Sequence, residues 1–181
     1  MGFHSGQKET AQRKKKQWQS TRKHDTISRI SKKWTRKRKL GLDEKLRAHV
    51  LKRDSMNTFM HYNFNEQAEL EQDYAVCKLD IRPECLNPFG MVHGGALCTL
   101  ADNAAGMAAH TDGRLYVTQS STFQFVKNQG SGTIYAAARV RHRGRSTALV
   151  SVEITGDNHR LLAVAEFTMF CVGSGVTGEQ A

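Results

Sequence analysis

The segment Gly94–His110 constrains the fold more than any other part of the chain. Leu97, Leu100, Ala101, Ala104 and Ala108 recur at helical spacing and form one apolar stripe. Cys98, Asp102, Ala105 and Ala109 form a neighbouring stripe of small residues that carries one carboxylate. A surface helix would show Lys and Glu, and this segment has neither. Small side chains on two stripes let other backbone approach from more than one side. That suits a central helix wrapped by a curved sheet.

The flanking sequence supplies the sheet. Tyr74–Ile81 carries β-formers with some alternation. Pro83 and Asn87-Pro88-Phe89-Gly90 mark a loop. After the turn signal Asp112-Gly113 come four strand candidates, Leu115–Lys127, Thr133–Arg143, Ser146–Thr155 and Leu161–Val172. The links between them are too short for parallel crossovers, so the later strands are expected to be antiparallel neighbours. Val150, Val152 and Ile154 alternate with Ser151, Glu153 and Thr155, as in a strand with one wet face. The expected class is α+β, with one central helix and a curved, mainly antiparallel sheet of five to six strands.

Charge divides the 181 residues into two parts. The formal net charge is +10, yet residues 1–39 alone hold fourteen Lys/Arg and two acids, while the remainder is close to neutral. The expected organisation is a basic N-terminal extension, 1–53, disordered or partly helical, followed by a globular domain, 54–181. Ile27, Ile30 and Trp34 would give residues 25–39 an amphipathic basic face. Such an arm suits nucleic acid or an anionic surface, but a charge run alone is a weak signal and more often marks a solvated tail. Translation beginning at Met56 or Met60 is a further reading of the same segment. No stretch of 18 apolar residues occurs, which excludes a spanning helix. The cysteines, Cys77, Cys85, Cys98 and Cys171, form no C-x-x-C pair, which argues against zinc and against a disulfide scaffold. With no apolar leader, a cytoplasmic location is expected.

The chemistry concentrates around the start of the central helix. Two glycines, Gly94 and Gly95, open it after His93. A helix N-terminus offers free N–H groups and partial positive charge, which can stabilise an oxyanion. A tight loop-to-helix bend explains the glycines equally well. Asp102 is the candidate base or nucleophile, eight residues after Gly94. Eight helical residues rise about 12 Å, too far for one carboxylate to reach a carbonyl held at Gly94 of its own chain. If both act on one carbonyl, they come from different subunits, most simply in a two-fold dimer. His93 has no second ligand at metal spacing and reads as a residue that pins the loop or polarises the carbonyl.

Asn87, then His93-Gly94-Gly95, then Leu100-Ala101-Asp102, with Gly144-Arg145 and Ala163–Phe167 further on, resemble the PaaI-like hotdog-fold acyl-CoA thioesterases over about residues 60–172. The resemblance implies the hotdog fold, hydrolysis of acyl- or aryl-CoA thioesters without a cofactor, and a homodimer or homotetramer with interfacial sites. It implies Asp102 as nucleophile or general base and the Gly94 N–H as the carbonyl polariser, followed by Gly95. Asn87 and His93 would position carbonyl or water. A water-orienting hydroxyl falls on Thr118, or on Ser120 with a shift of two. Arg143 and Arg145 are the candidates for coenzyme A phosphates, with Arg139 and Arg141 in the same hairpin. Phe89, Met91, Phe123 and Phe125 are candidates for an acyl or aryl pocket. Two rival functions remain at this point: an acyl-CoA-sensing regulator with a nucleic-acid-binding arm, and a hotdog hydratase or dehydratase with His93 as base.

Overall fold

The computed structural model describes residues 42–63 and 65–175. The basic segment 1–39, including the amphipathic face expected at 25–39, lies outside them. The described chain opens with two short helices, α1 (Glu44–Ser55) and α2 (Thr58–Tyr62). Asp43 caps α1 by accepting hydrogen bonds from the Lys45 and Leu46 amides, at 3.0 and 3.2 Å. Glu44 in the first turn and Lys52 and Arg53 in the last suit the helix dipole. Val50 is buried in the core, so α1 belongs to the globular part, and the boundary expected after residue 53 falls inside this helix.

Six strands follow: β1 (Asn65–Glu71), β2 (Tyr74–Asp80), β3 (Arg114–Phe125), β4 (Thr133–Arg143), β5 (Thr147–Thr155) and β6 (Leu161–Ser174). They form one antiparallel sheet in the order β1-β2-β4-β5-β6-β3. The central helix α3 (Gly94–His110) packs on it, burying Leu97, Leu100, Ala101, Ala104, Met107 and Ala108. Ala136, Ala138, Val150, Val152 and Ile154 lie in the same core. The α+β expectation holds, and the small helix residues do meet sheet along much of their length.

One topological expectation is corrected. β3 does not lie beside β4; it crosses to the far edge and pairs with β6. The link 126–132 has to pass three strand spacings, about 14 Å. Extended, it can reach about 23 Å, so a short link suffices without a helix. It also holds the loop that precedes α3. The Val92 amide donates to the Gln129 carbonyl at 3.0 Å, and the Asn128 amide donates to the Val92 carbonyl at 2.8 Å. Here Gly130 passes so close to Gly90 that an added Cβ would overlap the Gly90 carbonyl oxygen. Gly90 itself has φ +72°, a left-handed conformation that favours glycine.

Candidate active site

The loop before α3 is shaped by Asn87. Its side-chain oxygen accepts from the Phe89 and Met91 amides at 2.9 and 3.2 Å. That leaves the amide NH2 as the group Asn87 can offer a substrate. Phe89, at the tip, is 82% exposed. His93 caps the helix: Nδ1 accepts from the Gly95 amide at 2.9 Å. The lone pair on Nδ1 is therefore engaged, which supports pinning over a base role for that nitrogen. A Cβ on Gly95 would lie 3.0 Å from the same nitrogen, so the imidazole would have to give by a few tenths of an ångström to admit one.

The first-turn amides divide in an informative way. Gly95 is bound by His93, and Ala96 and Leu97 donate to the His93 carbonyl at 3.0 and 3.4 Å. The Gly94 N–H has no acceptor among the described residues. The Phe125 ring sits 3.5 Å from where a Gly94 Cβ would lie, an ordinary contact, so packing does not require glycine there.

Asp102 lies half-buried two turns further along α3. The Thr118 hydroxyl donates to Asp102 Oδ1 at 2.6 Å. A bulge makes this possible: Thr118 pairs with Met169 and Ser120 with Thr168, leaving Gln119 as the extra residue. The structure thus brings Thr118, rather than Ser120, to the carboxylate. Two cavities meet at Asp102. One, of about 340 Å³, is lined by Asp54, Asn103, Gly106, Met107 and Thr118 among others. The other, of about 280 Å³, is lined by Cys98, Ser121, Phe123 and Phe167. Sequence reasoning missed the lining from α1, α2 and the Asn57 cap between them, namely Val50, Arg53, Asp54, Asn57, Phe59 and Met60. The Asp43 cap and the charge pattern of α1 were the available signals.

Arg143 requires a correction. Expected beside coenzyme A phosphates, it closes the C-terminal end of α3. Its guanidinium donates to the Ala108 and Ala109 carbonyls at 3.1 and 2.8 Å and to the Thr111 hydroxyl at 3.1 Å. It also pairs with Asp73 at 2.7 Å and with Asp112 at 2.8 Å. These inward bonds use its donors, so none remains for a ligand. Burial pushes the Asp112 carboxyl up, but hydrogen bonds from Arg114 and the charge of Arg143 outweigh it and hold Asp112 below the usual carboxylate range. Nearby His110 is lowered from its ordinary value, chiefly by burial. Arg145 is exposed. Among the described residues no cluster of three His, Cys, Asp or Glu could hold a metal ion, and no helix is long and apolar enough to cross a membrane.

Comparison with known proteins matches this geometry. The thioesterase superfamily profile fits residues 89–163. The acyl-coenzyme A thioesterase PaaI of Escherichia coli is 30% identical over 61% of this chain and 79% of its own length. A Mycobacterium tuberculosis protein named as an esterase is 39% identical over 52% of this chain and 72% of its own. The E. coli PaaI structure superposes with TM-score 0.71 at 23% identity, covering 76% of this chain and all of the other, and supports the hotdog fold. A Streptococcus pneumoniae thioesterase protein solved with coenzyme A has TM-score 0.61 and 26% identity, over 65% of this chain and 98% of its own. Two variants of that pneumococcal protein replace, respectively, an aspartate and a threonine sixteen residues later with alanine, the spacing that separates Asp102 from Thr118. The chain belongs to the thioesterase superfamily, in its PaaI-like hotdog-fold group.

Proposed function

We propose that this protein hydrolyses acyl- or aryl-CoA thioesters to free acid and coenzyme A. The observation that carries this is the Asp102 carboxylate, held by the Thr118 hydroxyl and open to a cavity large enough for an acyl group. The thioester carbonyl oxygen accepts from the Gly94 N–H, where the helix end favours developing negative charge. The Asn87 NH2 and the His93 cap hold that end of the site in place. Asp102 then follows one of two routes. As a base it takes a proton from water while the oxygen attacks the carbonyl carbon; the C–S bond breaks and the thiolate takes the proton. As a nucleophile it forms an acyl anhydride, expels the thiolate, and water hydrolyses the anhydride. Single turnover in ¹⁸O water separates the routes, since only the nucleophilic one leaves label in Asp102.

Gly94 and Asp102 are about 12 Å apart along one continuous helix. The reading therefore places Gly94 of one protomer against the carboxylate of a second copy, in a two-fold dimer or a tetramer of such dimers. Arg145 meets the coenzyme A phosphates. The basic sequence 1–39 contacts nucleic acid or an anionic surface, and the protein acts in the cytoplasm.

Mixing two inactive variants tests the shared site. Gly94→Pro removes the N–H at the first helical position, where proline is tolerated. His93 already has the extended conformation that precedes proline, φ −63° and ψ 136°. Co-folded Gly94→Pro and Asp102→Asn chains contain one intact site per mixed dimer, so thiol release returns. No recovery on mixing would end the shared-site reading.

A further inference from the structure

α1 is lightly held. Val50 is the one residue it buries. Arg47 fastens its first half by donating to the Leu70 carbonyl at 2.6 Å. Asn103 ties its last turn to α3 by donating to Asp54. Between these ties α1 faces α3 across the 340 Å³ cavity, which Asp102 and Thr118 also border. An element with so little buried surface opens locally at lower cost than the whole fold.

His110, on the last turn of α3, lines the same cavity as Arg53 of α1. The Tyr116 N–H donates to His110 Nε2 at 3.1 Å, so that nitrogen carries a lone pair and the imidazole is neutral. Once protonated, Nε2 can donate instead to the Tyr116 carbonyl, 3.2 Å away. β3 therefore supplies a partner in either state, and the side toward α1 has no such exchange. There the ring faces His49 and Arg53, and Arg53 itself donates to His49 Nε2 at 3.0 Å. A proton on His110 thus sets a second positive charge against the first in a part-buried place, where repulsion is stronger than in water. Burial is the main cause of the lowered value of His110, and Arg53 and His49 act in the same direction.

The other charges around the ring do not reproduce this. Asp112 favours the charged ring, but it is itself lowered, stays ionised at pH 5 and is already held by Arg114 and Arg143. Asp54 is raised by burial, so through that group acid favours the closed form, the opposite sign. Asp102 lies two turns back on α3, about 12 Å along the helix.

We propose that α1 is an acid-released flap: a proton on His110 sets its charge against Arg53 and His49, the last two turns of α1 leave α3, and the cavity beside Asp102 opens to solvent. The device controls the wall of the candidate site without using any residue of the hydrolytic step, and it does not rest on the thioesterase reading.

Hydrogen–deuterium exchange of the full chain at pH 8 and pH 5 tests this, each rate being divided by the intrinsic exchange rate at that pH. With the ordinary value of 6.5 in the open form, His110 can favour opening at pH 5 by at most about 30-fold. Protection of amides 48–55 is expected to fall about tenfold, while amides of α3 and β4 change less than about twofold. His110→Gln keeps an acceptor for the Tyr116 N–H and cannot take up a proton, so the fall in α1 shrinks to under about twofold. Arg53→Gln changes an exposed residue, leaves His110 in place and removes the facing charge; the fall shrinks to about threefold. That variant carries the test should His110→Gln fail to fold. Equal loss of protection in α1, α3 and β4 would mean that acid loosens the whole fold, and overturns the flap. A full fall persisting in His110→Gln or in Arg53→Gln overturns it as well. Exchange needs no substrate, so these outcomes are separate from whether thiol is released from any CoA ester.

Discussion

The two ends of α3 are finished in opposite ways. At the C-terminal end, Arg143, Thr111 and Asp112 meet the last turn with a dense set of bonds, and hardly a donor is left over. At the N-terminal end, His93 satisfies Gly95, Ala96 and Leu97 and stops short of Gly94. One end of the helix is spent on holding the fold, while the other keeps an amide in reserve. The contrast shows how a single element can be an anchor at one end and leave a donor open at the other.

Changes that respect this division should separate rate from stability. Asp102→Asn is the largest: thiol release falls about 10³-fold, within the range for loss of a positioned base, while the unfolding midpoint hardly moves. A variant retaining wild-type turnover would remove Asp102 from the chemistry. At the other end, Arg143→Ala leaves the Ala108 and Ala109 carbonyls without their side-chain donor and takes an ion-pair partner from Asp112 and Asp73, and should cost about 3 kcal/mol of stability. Denaturant titration would show it, and turnover per folded molecule stays at the wild-type level. A loss of turnover without loss of stability would return Arg143 to the substrate. Thr118→Ala removes one hydrogen bond to the carboxylate and lowers kcat about tenfold with KM little changed.

Acid sharpens the comparison further. His110 sits on the last turn of α3, and its folded pKa is lowered by burial. The unfolded chain therefore takes up its proton first as pH falls. The stability His110 contributes is complete above about pH 6.5 and is lost below it, as pH drops through the lower folded value. Asp112, also lowered, acts with the same sign in the carboxylate range. Urea midpoints at pH 8 and pH 5 should fall in that order, and a His110→Gln variant should flatten the upper part of the fall. The smallest effect is at Arg145, where alanine raises KM for CoA esters about threefold and leaves kcat unaltered, as expected for an exposed charge.

Much of this was legible in the residues. The span Gly94–His110 and the strand Thr133–Arg143 appear with the bounds the sequence suggests, because both have strong periodicity and clear turn signals. β1 escaped reading because Asn65–Glu71 is an acidic edge strand without β-branched residues. The choice between Thr118 and Ser120 turned on a bulge, which leaves no mark in a strand's alternation. Arg143 misled because an arginine beside a turn looks alike whether it faces phosphate or a helix end; only the fold brings Asp73 and Asp112 to it. The approach of α1 and α2 to Asp102 is likewise tertiary, since α1 buries only Val50 outright and shows little amphipathic pattern.

The crossover 126–132 carries a consequence for the start of α3. The same stretch that lets β3 reach the far edge also supplies Asn128 and Gln129 to fasten Val92, just ahead of the helix start. Those bonds join residues more than thirty positions apart, so each closes a long loop of chain. The loop ahead of Gly94 is thus fastened by the same link that carries the chain between the edge strand β3 and β4, and a change that loosens this link would loosen the start of α3 with it.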